Sequence, residues 1–144
     1  MKRLHFNIHI NAVKQKVWKI LWDKDTYCQW TSVFGDGYYK ADEWKEGARI
    51  QFLNTSGSGM FSEIHKLIDE QYVSFKHLGE IKDGVEMPAD AATTAWAGSM
   101  EIYSLTEAGD GTDLIAELDI TPDHESFFAE KFPQALQLIK ELAE

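Results

Sequence analysis

The chain has 144 residues, and its 14 Lys and Arg stand against 24 Asp and Glu, a formal charge of −10. Hydrophobic residues make up 44%, which excludes a disordered chain, and the length is that of one compact domain spanning 1–144. The basic residues are scattered singly among acids, so no patch exists to neutralise nucleic-acid phosphates or to hold an anionic membrane.

No stretch reaches the length of a membrane span, so no stable membrane insertion is expected. The opening Met-Lys-Arg-Leu-His-Phe-Asn-Ile has no continuous apolar run and does not read as a signal peptide, which makes the cytoplasm the expected location. The single cysteine, Cys28, excludes an internal disulfide and a Cys-based zinc cluster, and its apolar surroundings predict a small core residue.

Leu4 to Ile10 alternates, with Leu4, Phe6, Ile8 and Ile10 on one side, which predicts a half-buried strand. Asn11 is placed to cap a first helix whose apolar face is Val13, Val17, Ile20 and Leu21, widened by Trp18 and Trp22. A second short helix is expected over Tyr27 to Phe34, ended by Gly35 and Gly37. The period then becomes two. Strands are predicted over Tyr38–Ala41, Ala48–Leu53, Met60–Ile68, Tyr72–Gly79, Thr94–Leu105 and Thr112–Ile120. The turns between them are short, as in the Ser56-Gly57-Ser58-Gly59 run, so neighbours are antiparallel. Thr121-Pro122-Asp123 opens a final helix striped by Phe128, Phe132, Ala135, Ile139 and Leu142, with a kink expected at Pro133.

Strand, two helices, six strands and a long helix define an α+β class. A curved seven-stranded antiparallel sheet has one apolar face to cover, and a single helix laid in its groove covers it incompletely. The space left over is the expected binding cavity.

The order of elements resembles the birch-pollen-allergen and START-like superfamily, also called SRPBCC, with its helix-grip fold. Asn11-Ala12 followed by Val17-Trp18, Tyr27 and Trp30 resembles the branch named after the activator of heat-shock protein 90 ATPase. A bacterial subgroup of that branch is similar over 43–53 (EWKEGARIQFL), 57–64 (GSGMFSEI), 76–86 (KHLGEIKDGVE), 96–107 (WAGSMEIYSLTE), 111–120 (GTDLIAELDI) and 127–144 (FFAEKFPQALQLIKELAE). Val13 departs from the branch, which often carries proline there. The superfamily includes lipid carriers, plant ligand binders and polyketide aromatases and cyclases, so the resemblance implies a fold more than one function.

The residues offer little standard chemistry. His5 and His9 lie four positions apart on one strand, about 13 Å, too far to share an ion. No other histidine pair has metal-ligand spacing, and neither a metal nor a cofactor is expected. No nucleophile elbow or phosphate loop occurs. His77 follows Val73 and Phe75 at period two and is expected to point inward. Glu63 fits either face. Glu101 is expected outward, because the outer face is otherwise acidic. The aromatic residues carry the main functional signal. Trp30, Phe34, Trp44, Phe52, Phe75, Trp96, Phe128 and Phe132, with Met100 and His77, are the expected ligand-binding residues.

The function expected from this pattern is binding of a small hydrophobic or amphipathic molecule between sheet and C-terminal helix. The alternatives are an aromatase, cyclase or hydrolase using His77 and Glu63 with Tyr72 or Tyr103 in the same cavity, and a chaperone-partner module. A homodimer is compatible with all three.

Overall fold

Alternation of period two carries eight segments of the chain into one antiparallel sheet. A computed structural model describes residues 1–144. Its elements are β1 (Lys2–Ile10), α1 (Lys14–Trp22), α2 (Lys24–Trp30), a 3-10 turn (Thr31–Phe34), β2 (Tyr38–Ala41), β3 (Arg49–Leu53) and β4 (Gly59–Ile68). They continue with β5 (Tyr72–Lys82), β6 (Val85–Glu86), α3 (Ala91–Thr94), β7 (Met100–Ala108), β8 (Gly111–Ile120), a second 3-10 turn (Pro122–His124) and α4 (Glu125–Ala143).

The strands run β1-β8-β7-β5-β4-β3-β2, a path of seven, with the two-residue β6 paired to the end of β5 as an eighth. All pairings are antiparallel. The fold is therefore the curved sheet and long C-terminal helix of a helix-grip protein. The first and last strands lie side by side, with Leu4 opposite Leu118 and Ile8 opposite Leu114. Helices α1 and α2 carry the chain from β1 to β2, the two edges of the sheet.

The inner face is apolar because the alternation is kept in register across strands. Ile50, Ile64, Val73, Phe75, Leu105, Leu114, Ala116 and Leu118 form one core cluster with Phe132, Ala135, Leu136 and Ile139 of α4. Phe6 stacks on Phe132 with ring centroids 5.0 Å apart. Trp22 is the hub of the other end, its ring within 5.5 Å of those of Trp44, Phe75 and Tyr103. Helix α4 runs unbroken through Pro133, which is exposed. The missing N–H leaves the Ala129 carbonyl unbonded on the solvent side, where water can serve it.

Several local expectations are corrected. Residues 94–99 are not strand. Asp90 caps α3, its carboxylate accepting from the Thr93 N–H at 2.8 Å, and β7 begins at Met100. The capping signal of Asp90 outweighs the β-branched pair Thr93-Thr94. Helix α1 starts at Lys14 behind Val13, and the Asn11 side chain does not cap it. Instead the Asn11 N–H donates to Glu144 at 2.8 Å, tying the end of α4 to β1. The second helix begins earlier than expected, at Lys24, and only its last turn is 3-10. Cys28 is exposed, because α2 buries Trp30 on its opposite side.

The β3–β4 hairpin depends on a close approach at Gly59. A Cβ there would lie 1.9 Å from the Phe52 carbonyl oxygen. Gly37 has only ordinary contact, 3.6 Å from the Leu53 oxygen. Gly59→Ala is expected to cost about 1–3 kcal/mol in urea denaturation, and Gly37→Ala less than about 0.5 kcal/mol. Equal effects would contradict the packing described for this hairpin.

Candidate functional site

The strand parities that bury the core also bring four polar side chains to one place on the inner face. On β7, Glu101, Tyr103 and Leu105 point inward, opposite Leu118, Ala116 and Leu114 of β8. On β5, Val73, Phe75 and His77 point inward, with Phe75 opposite Glu101. Beyond His77 the register with β4 shifts. Ser62 pairs with His77 and Phe61 with Gly79, so Leu78 is a bulge. His77 is held at this irregular point by its backbone. Its N–H donates to the Ser99 oxygen at 2.9 Å and its carbonyl accepts from the Gly98 N–H at 2.8 Å.

The four side chains form one hydrogen-bonded chain. Ser62 Oγ lies 2.7 Å from His77 Nδ1, and His77 Nε2 lies 3.2 Å from Glu101 Oε1. The Tyr103 hydroxyl donates to Glu101 Oε2 in a short bond. With Glu101 as the carboxylate, these contacts assign His77 the Nε2–H tautomer, with Nδ1 accepting from Ser62. Every proton in the chain is then directed toward Glu101. Two of the roughly four acceptor positions of a carboxylate are filled. Ser62, His77 and Tyr103 are buried, whereas the Glu101 side chain keeps 22% of its surface open.

That open surface faces two adjoining hollows between the sheet and the start of α4. One, of about 330 Å³, is lined by Tyr27, Trp30, Phe34, Phe52, Tyr103 and Phe132. The other, of about 290 Å³, is lined by His77, Trp96, Ser99, Met100, Ile120 and Thr121. Met60, Glu101, Leu118 and Phe128 belong to both walls, so Glu101 stands at their junction.

Eight of the ten sequence-predicted residues line these hollows: Trp30, Phe34, Phe52, His77, Trp96, Met100, Phe128 and Phe132. Trp96 does so from the turn before β7 rather than from a strand. Phe75 is fully buried beneath Phe52, ring centroids 5.2 Å apart. Trp44 packs on the far side against Trp22 and Tyr39 and borders a separate surface depression.

Glu101 is the residue that sequence reasoning placed wrongly: it points inward. The acidity of the outer face misled, and the apolar Ile102 is instead the residue buried on that face, beside Ser74. The correct signal was the alternation Glu101-Tyr103-Leu105. Glu63 points outward with His65, 3.9 Å away, and Tyr72 lines neither hollow. The alternative catalytic set is therefore not assembled. His5 and His9 face outward against Glu117 and Asp113.

The surroundings fix Tyr103 as a proton donor. Burial, then the charge of Glu101 and the hydrogen bond to it, push the phenol well above its ordinary value of 10.0. Burial followed by the same charge does this to Tyr27 as well. A raised phenol pKa contributes stability that is whole below the unfolded value and is lost as pH rises through the folded value. Stability is therefore expected to fall between about pH 10 and the folded Tyr103 value. Tyr103→Phe is expected to cost about 1–3 kcal/mol at neutral pH and to flatten the alkaline fall, read from urea midpoints at both pH values. An undiminished alkaline fall in this variant would remove Tyr103 as its source.

No family model matches the chain, and no curated protein matches it in sequence. Solved structures do match in shape. The Aha1 dimer of Colwellia psychrerythraea superposes with a TM-score of 0.73 at 19% identity, covering 100% of this chain and 97% of that one. The AHSA1-like protein of Aeromonas hydrophila gives 0.67 at 15% identity, covering 98% and 91%. CalU16 of Micromonospora echinospora gives 0.67 at 15% identity, covering 99% of this chain and 76% of CalU16. The protein thus has the fold of these structures, a curved antiparallel sheet gripping a long C-terminal helix.

Proposed function

We propose that the protein binds a small, largely apolar molecule in the paired hollows between the sheet and α4, with Glu101 as its polar anchor. The observation that carries this reading is the open carboxylate at the junction of two aromatic-lined spaces. Small-molecule sites combine an apolar lining with a few fixed polar groups, and Glu101 is such a group. Its rotamer is held by Tyr103 and His77, and His77 in turn by Ser62 and by backbone bonds on both sides. A group held in this way is preorganised, and little freedom is lost when a ligand meets it.

The order of the polar chain favours binding over acyl transfer. A serine, a histidine and a glutamate in contact have the composition of a hydrolase triad. Here the serine is at the buried end, has no exposed surface and lines neither hollow. Ser62 has no access to a substrate carbonyl there. The group offered to a ligand is the carboxylate. Two further chemical circumstances support the hollow as a ligand space: its walls come from β3, β4, β5, β7, β8, α2 and α4, and most of its rings are partly exposed rather than packed away.

Nile red, a neutral apolar dye, is expected to bind with a rise in fluorescence. Met60→Trp fills the wall common to both hollows and is expected to weaken that binding by about tenfold or more while the circular dichroism spectrum stays unchanged. Native mass spectrometry of freshly purified protein is expected to show an added mass that leaves on denaturation. Dye binding untouched by Met60→Trp would place the apolar site elsewhere and sink the reading.

A further inference from the structure

We infer that the ligand carries a hydrogen-bond-donating, cationic group, an amine on an apolar skeleton, and that the site rejects carboxylic acids and phosphates. This deepens the proposed function and rests on it.

The inference comes from what the walls offer. Neither hollow has a lysine or arginine in its wall. A fatty acid or a lipid phosphate brought inside would lose water and meet no positive charge, a cost of several kcal/mol per ion. It would also face Glu101, a like charge in a poorly solvated space. The two histidines in the wall do not change this. His77 has both ring nitrogens engaged, by Ser62 and Glu101. His124 is exposed, with Nδ1 facing the Thr121 hydroxyl at 3.0 Å.

The acceptors point the other way. Asp119 also borders the smaller hollow, but its carboxylate is taken. Arg3 donates to both oxygens, at 2.8 and 3.0 Å, and the Met100 N–H donates at 2.9 Å. Glu101 has no lysine or arginine partner. Its two protein donors, a phenol and an imidazole N–H, leave half of its acceptor positions open. An ammonium group satisfies both deficits at once, with charge-assisted hydrogen bonds. Because Glu101 lies where the hollows meet, the donor sits there and the apolar part enters the aromatic lobe walled by Trp30, Phe34, Phe52 and Phe132. The net charge of −10 draws cations toward the protein from a distance, which aids encounter without giving specificity.

The test is a set of three probes with one alkyl chain: octylammonium, octanol and octanoate, titrated calorimetrically into the full-length protein and its Glu101→Gln variant at moderate salt. Octylammonium is expected to bind at least about tenfold tighter than octanoate, with octanol between them. In Glu101→Gln the amine is expected to lose that advantage while octanol affinity holds, and circular dichroism reports whether the variant is folded. Tyr103→Phe serves as a second variant. It removes a donor from Glu101 without removing the charge, so the preference for the amine is expected to survive. Octanoate binding as tightly as octylammonium, no binding of the amine, or an amine preference that persists in Glu101→Gln would each overturn the inference. Nile red binding reads the apolar hollow independently, so a site that takes the dye but prefers octanoate leaves the proposed function standing and removes only the ligand class.

Discussion

A carboxylate inside an apolar groove must be given hydrogen bonds by the fold, and the sheet register supplies them to Glu101. Tyr103 is its neighbour two residues on along β7, His77 comes from the adjacent strand β5, and Ser62 from β4 beyond it. A shift of one residue in the pairing of any of these strands would turn one member to the outer face and leave the others unpaired. The same register buries Phe75, Leu105 and Leu118. The apolar core and the polar chain are thus two consequences of one set of backbone hydrogen bonds, and neither can be rearranged without the other.

The β4–β5 pairing has two irregularities, at His65 on β4 and at Leu78 on β5, and the second lies at the site. From Phe75 to His77, β5 pairs residue for residue with Ile64 to Ser62 of β4. Past it, Gly79 lies on the outer face, where a Cβ would meet the Phe61 ring at 2.4 Å. The bulge lets the strand end turn away and opens the groove beside His77, which α4 does not reach. The turn before β7 closes that end, its Gly98 and Ser99 completing the backbone bonds of His77. The hollow exists because one helix packs firmly near Phe132 to Ala143 and its first turns, around Phe128, stand off from the sheet. Buried residues in α4 begin only at Phe132.

The sheet and the long helix were legible because their signals are periodic and long. The strand Thr112–Ile120 and the stripe of α4 each repeat their apolar pattern several times, so local noise is averaged out. What failed were signals carried by one or two residues. Thr93-Thr94 suggested a strand, but a single Asp90 cap decided for a helical turn. Asn11 had the chemistry of a cap, yet its backbone met Glu144, a residue 133 positions away that no local rule includes. Cys28 read as core from its apolar neighbours, while helical geometry turned it outward. The aromatic walls were readable from composition and parity. The inward carboxylate was not, because an inward Glu101 and an outward Ile102 invert the usual pattern and only their cross-strand partners explain both.

Stability alone gives no reason for this inversion. A hydrophobic residue at 101 would complete the alternation with Tyr103 and Leu105 and extend the core toward Leu118, and replacing buried charge by well-packed apolar groups is often neutral or stabilising. Glu101 instead requires a buried phenol, a buried imidazole and a buried serine to hold it, each of which must itself be satisfied. It has no lysine or arginine partner, whereas Asp119 on the adjacent strand β8 is paired with Arg3. Asp119 is a structural carboxylate, closed by its cation and by a backbone N–H. Glu101 is oriented as carefully and left open. A carboxylate that is preorganised and directed at an aromatic-lined space has acceptor positions that the fold leaves unfilled, and on the proposed reading a bound ligand fills them.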